Sequence, residues 1–178
     1  MQGSGNRPPA TVPNRAQFMH ADLLRTASQL GLVGFQHLPS NFFQALPKVC
    51  LMLNRLCAGS SNANEQWKLV DACFSLVWEL PEYRDSENAF VYESEDSLLQ
   101  RVHQIAKLEY NAERVGEQVA AGREIVKQNT ERALSLGAFG APIFHFPNSK
   151  DEKIFFGSDR FEQIAHVFGK PYPGLSRL

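Results

Sequence analysis

Leu136-Gly137-Ala138-Phe139-Gly140-Ala141-Pro142-Ile143-Phe144-His145-Phe146, followed by Lys153-Ile154-Phe155-Phe156-Gly157-Ser158-Asp159-Arg160-Phe161, is the stretch whose reading decides the fold. Gly137, Gly140 and Pro142 exclude a long helix here. Ile143–Phe146 is short, apolar and Phe-rich, and reads as a strand. Pro147-Asn148-Ser149-Lys150-Asp151 is a turn, Lys153–Phe156 a second strand, and the two form a predicted hairpin. Gly157-Ser158-Asp159 then opens a helix with Phe161, Ile164, Ala165 and Phe168 on one face. Gly169, Pro171, Pro173 and Gly174 end it.

Everything upstream follows helical spacing. Residues 1–14 are rich in Gly, Pro and Asn and read as a loop. Asp22–Leu32 carries a stripe of Leu23, Leu24, Ala27 and Leu30. Ser40 or Asn41 caps a second helix, whose apolar positions include Phe42, Phe43, Leu46, Val49, Cys50, Leu53 and Leu56; Pro47 within it predicts a kink. A third helix over Glu65–Trp78 places Trp67, Val70, Phe74, Val77 and Trp78 on its inward stripe. Pro81–Asp96 is acidic and reads as a solvated connector. Ser94 or Asp96 caps a helix through Leu108, with Leu98, Leu99, Val102, Ile105 and Ala106 inward. Val115, Val119, Ile125 and Val126 mark another, closing near Gly137. The layout is a helical block followed by helix–strand–strand–helix.

Composition narrows the function classes. The chain has 178 residues, 43% of them apolar and 21% charged, with 13 Phe, enough to bury a core. Lys+Arg is 18 and Asp+Glu 19, a net charge of −1, which offers no electrostatic footprint for nucleic acid or an anionic membrane. No apolar run approaches the ~18–20 residues of a membrane span, and Met1–Pro13 lacks the apolar segment of a secretory signal. Cys50, Cys57 and Cys73 form no Cys-x-x-Cys motif and read as buried reduced thiols in a reducing compartment, Cys50 and Cys57 sharing one helix face. The five histidines, His20, His37, His103, His145 and His166, show no metal-ligand spacing.

A ligand site is suggested at the hairpin. Pro142 opens a strand, where a missing N–H is tolerated. If the Ala141-Pro142 bond is cis, the neighbouring backbone turns outward and can pair with an extended peptide ligand; a trans bond is the commoner state of an X-Pro pair. Ser158 and Asp159 stand at the start of a helix, where unpaired N–H groups and the dipole favour a carboxylate, and Asp159 can pair with an ammonium. Together these groups suit a zwitterionic, amino-acid-like end. The competing reading of Asp159 is an ordinary capping pair with Glu162.

Leu136–Pro142 with Phe156–Phe161 resembles the C-terminal half of the kappa-class glutathione transferases, which group with DsbA-like oxidoreductases and 2-hydroxychromene-2-carboxylate isomerases. Gly5-Asn6-Arg7-Pro8-Pro9-Ala10, with Pro13, is similar to the loop after the second thioredoxin-fold strand of that class. Leu38-Pro39-Ser40-Asn41-Phe42-Phe43 matches the start of a helix in its inserted domain, so the likeness covers nearly the whole chain.

The resemblance implies an α/β, thioredoxin-like fold with a large inserted α-helical domain. Residues 1–18 would be the glutathione-site loop, 19–128 the helical insertion, 129–172 the C-terminal half of the thioredoxin-like domain and 173–178 a flexible tail. It further implies that Asn6 contacts glutathione, that Ala141 beside Pro142 pairs its main chain with the cysteinyl moiety, and that Ser158 and Asp159 hold the γ-glutamyl end. The class activates the glutathione thiol with a serine in a Ser-Pro-Tyr-type motif. Ser40-Asn41-Phe42, Ser60-Ser61-Asn62 and Ser86-Glu87-Asn88 all lack that pattern, so no catalytic residue is assigned and the expected serine lies upstream of Met1. The chain reads as lacking the N-terminal strand–helix–strand, with impaired activity and an open edge on the Ile143–Phe146 strand.

The function implied is glutathione conjugation to electrophiles or glutathione-dependent peroxide reduction. The alternatives are a glutathione-dependent isomerase of the 2-hydroxychromene-2-carboxylate type and a non-catalytic remnant that binds glutathione or dimerises. Glutathione is the expected substrate or cofactor, with no metal. The expected partners are a small electrophile, a second copy in a homodimer and a peroxisomal import receptor, with no nucleic acid and no membrane span. Ser176-Arg177-Leu178 is similar to the Ser-Lys-Leu peroxisomal address; mitochondrion and cytoplasm are the alternatives.

Overall fold

The computed structural model describes residues 12–32, 39–149, 153–172 and 174. Its elements run α1 (Pro13–Gln29), α2 (Phe42–Ala58), α3 (Ala63–Trp78), a 3₁₀ turn (Pro81–Tyr83), α4 (Glu95–Ala106), α5 (Ala112–Ser135), β1 (Ile143–His145), β2 (Ile154–Phe156) and α6 (Phe161–Val167). The chain divides into two compact units. One comprises Asp22–Glu131, and the other gathers the described residues up to Ala21 with those from Arg132 onward.

The helical unit owes its order to caps at the ends and Leu-rich faces between them. Ser94 and Ser97 form a reciprocal capping box at the start of α4, the Asn62 side chain accepts from the Asn64 and Glu65 N–H groups at the start of α3, and Lys107 ends α4 at φ 56°. These partners satisfy backbone groups that have none within the helix. Leu46 and Leu56 from α2, Leu69 and Leu76 from α3, and Leu98 and Val102 from α4 are fully buried together. Each such burial contributes roughly 1.5–3 kcal/mol.

α1 begins at Pro13, nine residues before the expected Asp22, because a proline in the first helical turn forfeits only an N–H that has no helical partner. Of its expected stripe only Ala27 is buried, while Leu23, Leu24 and Leu30 are exposed. Asn41 precedes α2 but makes no side-chain cap; its amide instead donates to Phe90 O at 2.9 Å and accepts from Phe90 N at 2.8 Å. α2 runs through Pro47, whose ring faces solvent.

On α3 the expected stripe holds in part: Val77 is buried, and Val70 and Trp78 pack against the core, but Trp67 and Phe74 do not. Trp67 and Phe74 are 67% and 63% exposed, and the buried face is Leu69, Ala72, Cys73, Leu76 and Val77. From Trp67 onward apolar residues fill all of this helix but the strip of Lys68, Asp71 and Ser75, an arc too wide for periodicity to choose within, and packing against α2 and α4 selects the side of Leu69 and Leu76. Cys50 is likewise exposed, and only Cys57 and Cys73 are buried.

The Pro81–Asp96 segment is more than a solvated connector. Its carboxylates face water, but Phe90 is buried, paired to Arg84 in an isolated antiparallel bridge and stacked on Tyr83. Asp85 organises the intervening turn by accepting from the Glu87 and Ala89 N–H groups at 2.9 and 2.8 Å. His103, buried, bonds the Leu99 carbonyl through Nδ1 at 2.8 Å and meets the Tyr110 ring edge-on, a structural role.

In the second unit β1 and β2 pair antiparallel in the register Ile143↔Phe156, Phe144↔Phe155 and His145↔Ile154. Alternation places Phe144, Phe146 and Phe155 on one face. There Phe144 meets Phe161 and Phe146 meets Phe168, tying the hairpin to α6.

Candidate functional site

The hairpin register assembles the corner at which the sequence-predicted ligand groups meet. Beyond the Ile143↔Phe156 pair, Gly157 N donates to Pro142 O at 3.1 Å. That bond sets Ala141-Pro142 beside Gly157-Ser158-Asp159, two segments separated by the whole hairpin. The Ala141-Pro142 peptide is cis. Upstream, α5 ends where Gly137, at φ 81°, lets Ala138 N reach Ala133 O at 3.0 Å. Phe139 then packs on Phe156 with ring centroids 4.6 Å apart, fixing the approach to Pro142.

Ala141, Pro142, Ser158 and Asp159 are all exposed. Gly157 has φ 107°, so this turn needs glycine for its backbone conformation, and the Asp159 carboxylate folds over it, Oδ1 lying 2.4 Å from where a Cβ would stand. The Asp159 side chain is 70% exposed and lies 3.5 Å from the Arg160 guanidinium, an ion pair that water screens and a ligand can exchange. Arg160 had no expected role here; nothing in its local sequence separates it from a surface cation.

One expectation about this corner is corrected. α6 begins at Phe161 after Arg160, with no side-chain cap, so Ser158 and Asp159 precede the helix and the Asp159–Glu162 capping pair does not form. The turn takes those residues because Gly157 at positive φ reverses the chain before the helix can start. The carboxylate-binding argument therefore rests on the exposed groups of the turn rather than on the end of a seven-residue helix. Asn6 and the targeting triplet Ser176, Arg177 and Leu178 lie outside the described residues.

Comparison with known proteins places this geometry in a family. Residues 1–169 match the DSBA-like thioredoxin domain. The chain belongs to that family. Its fold is accordingly thioredoxin-like with a helical insertion.

Among its curated relatives, glutathione S-transferase kappa 1 of Homo sapiens is 28% identical over 181 residues, covering 98% of this chain and 75% of the human protein. Glutathione S-transferase kappa 1 of Caenorhabditis elegans is 27% identical, covering 100% and 76%. Glutathione S-transferase kappa 2 of the same organism is 24% identical, covering 95% and 73%. The kappa-class resemblance carried by Leu136–Pro142 and Phe156–Phe161 agrees with these relatives.

Among the described residues, no three His, Cys, Asp or Glu side chains gather into a group able to hold a metal ion. No described helix is long and apolar enough to cross a membrane.

Proposed function

We propose that this DSBA-like chain binds glutathione at the corner of Ala141-Pro142 and Gly157-Ser158-Asp159 and serves kappa-class transferase chemistry. The observation that carries the reading is the Gly157 N to Pro142 O bond, which brings the two segments to one exposed corner. Glutathione is an extended, zwitterionic tripeptide. Ala141 offers main chain to its cysteinyl unit, and Asp159 offers a carboxylate to the γ-glutamyl ammonium, with Ser158 beside it. Asn6 adds a contact from the N-terminal loop. The names of the relatives support glutathione as the substrate.

In such a reaction the glutathione thiolate attacks an electrophilic carbon, or the O–O bond of a peroxide. A free thiol with pKa near ~8.5 supplies little thiolate at neutral pH without a donor to stabilise it. No serine of the 178 stands in a Ser-Pro-Tyr-type motif. On this reading residues 1–178 bind glutathione better than they turn it over. The assembly is a homodimer, and Ser176-Arg177-Leu178 directs import into peroxisomes.

Titration calorimetry tests the site. Charge-assisted hydrogen bonds contribute roughly 1.5–3 kcal/mol, so Asp159→Ala weakens glutathione by about tenfold or more. Equal affinity in wild type and variant removes Asp159 from the site. In a chlorodinitrobenzene assay residues 1–178, with no serine in that motif, are expected to turn over about 10²-fold or more slowly than a kappa enzyme bearing it; comparable turnover requires another thiolate stabiliser within these residues. For import, an N-terminally tagged chain is imaged with and without its last three residues. Punctate peroxisomal signal only in the intact chain is expected, and diffuse signal from both shows that the tail is not read.

A further inference from the structure

The helical unit holds three cysteines that glutathione binding does not use. Cys50 and Cys57 lie two turns apart on α2 and Cys73 lies on α3. All three line one groove of about 380 Å³ whose walls include Leu53, Phe74 and Trp78. Cys50 is exposed, whereas Cys57 and Cys73 are 8% and 9% exposed. The Cys57 and Cys73 sulfurs are 3.9 Å apart and both are free thiols.

We propose that Cys57 and Cys73 form a redox-active dithiol that reacts with an organic hydroperoxide entering the groove and closes to a disulfide joining α2 to α3. A disulfide bond is ~2.05 Å long, so each sulfur need move only roughly 1 Å. The apolar walls accept the alkyl part of the hydroperoxide, and the thiols border the open space that its O–O group must reach. One thiol is also prepared for attack. Either sulfur can donate in this contact, and when Cys73 S–H does so it favours the Cys57 thiolate, lowering Cys57 against the opposing effect of burial. Cys73 is pushed up by that same bond and by burial. The two sulfurs share one hydrogen bond, so loss of the first proton is favoured over loss of the second.

The chemistry balances without a metal or a further reductant. The Cys57 thiolate attacks the terminal oxygen of ROOH. The O–O bond breaks, the alkoxide takes up the proton released by Cys57 and leaves as ROH, and Cys57 becomes a sulfenic acid. The Cys73 sulfur then attacks the Cys57 sulfur. The S–O bond breaks, and hydroxide leaves with the Cys73 proton as water. Two thiols are oxidised and one peroxide is reduced to an alcohol.

The test uses the reduced full chain and cumene hydroperoxide, with glutathione omitted so that the result is independent of the glutathione site. Remaining thiols are alkylated and the peptides identified by mass spectrometry, with circular dichroism recording the fold throughout. The expected result is joint loss of alkylated Cys57 and Cys73 and appearance of their cross-linked peptide, which dithiothreitol dissolves, while Cys50 stays alkylated. Cys50→Ser leaves this outcome unchanged. Cys73→Ser stops at a sulfenic acid on Cys57 that dimedone captures. If Cys73→Ser fails to fold, the wild type and Cys50→Ser decide by themselves. Oxidation of Cys50 while Cys57 and Cys73 remain alkylated overturns the proposal, as does their oxidation to sulfinic acids without a cross-link.

Discussion

Two glycines of α5 share a helix and differ in their surroundings. A Cβ on Gly122 would lie 1.8 Å from Arg55 O and 2.9 Å from Gly59 N, whereas a Cβ on Gly116 would meet nothing within 4 Å. At Gly122, α5 therefore touches the C-terminal end of α2 backbone to backbone. Gln118, one turn earlier, donates from Nε2 to Leu56 O at 2.8 Å, and Gln66 of α3 donates to Cys57 O at 3.0 Å, so both satisfy carbonyls of the last turn of α2. Gly122→Ala gains about 1 kcal/mol of helix propensity but must force two backbones apart, which costs roughly 1–3 kcal/mol or more. The expected outcome is a lower urea midpoint for Gly122→Ala and an unchanged or higher one for Gly116→Ala. Equal midpoints for the two variants would contradict the close contact. Helical periodicity treats the two glycines alike, because only the neighbour that approaches tells them apart.

At the scale of elements, local signals succeeded where a single residue supplies the physics. Ser94 caps α4 as its hydroxyl and spacing suggest, with Ser97 N donating to Ser94 Oγ at 3.1 Å and Ser94 N donating to Ser97 Oγ at 3.2 Å. Ser94→Ala should destabilise by about 1 kcal/mol, seen as a lower thermal midpoint and fraying at the start of α4 by amide exchange; an unaltered midpoint would mean that the box carries no net stability. The hairpin was equally legible, since short apolar runs around a Pro-Asn-Ser turn leave few options. Asn41 departs from the expected cap: it sits at the start of α2 but spends both ends of its amide on Phe90, 49 positions away. α6 starts at Phe161, later than the Gly157-Ser158-Asp159 signal suggests, because Gly157 at φ 107° reverses the chain before a helical turn can form.

Across the molecule, burial is uneven between the two units. Among the described residues the fully buried leucines all belong to the helical unit, whereas β1 and β2 are three residues each and contain no fully buried side chain. Small two-stranded sheets are only marginally stable without support. Native-state hydrogen exchange should find the Leu56, Leu76 and Leu98 amides protected by about tenfold or more over Phe144 of β1. Equal protection would mean that the chain opens as one cooperative unit. Unequal protection would place the corner of Ala141-Pro142 and Gly157-Ser158-Asp159 in the unit that opens more readily, where a ligand gains most from ordering what it binds.

Taken alone, the amino-acid sequence determined the helix–strand–strand–helix C-terminal pattern, the glycines and proline of its turns and the family likeness, because these rest on local backbone preference and contiguous motifs. It also brought Ala141, Pro142, Ser158 and Asp159 forward as candidates. Tertiary structure alone decided which face of α3 is buried, that Phe90 anchors the acidic segment, that Gly122 rather than Gly116 is constrained, and that Cys57 and Cys73 touch. Each of those outcomes depends on which distant surface arrives at a given side chain, and an apolar residue within the wide apolar arc of α3 carries no local sign of that choice.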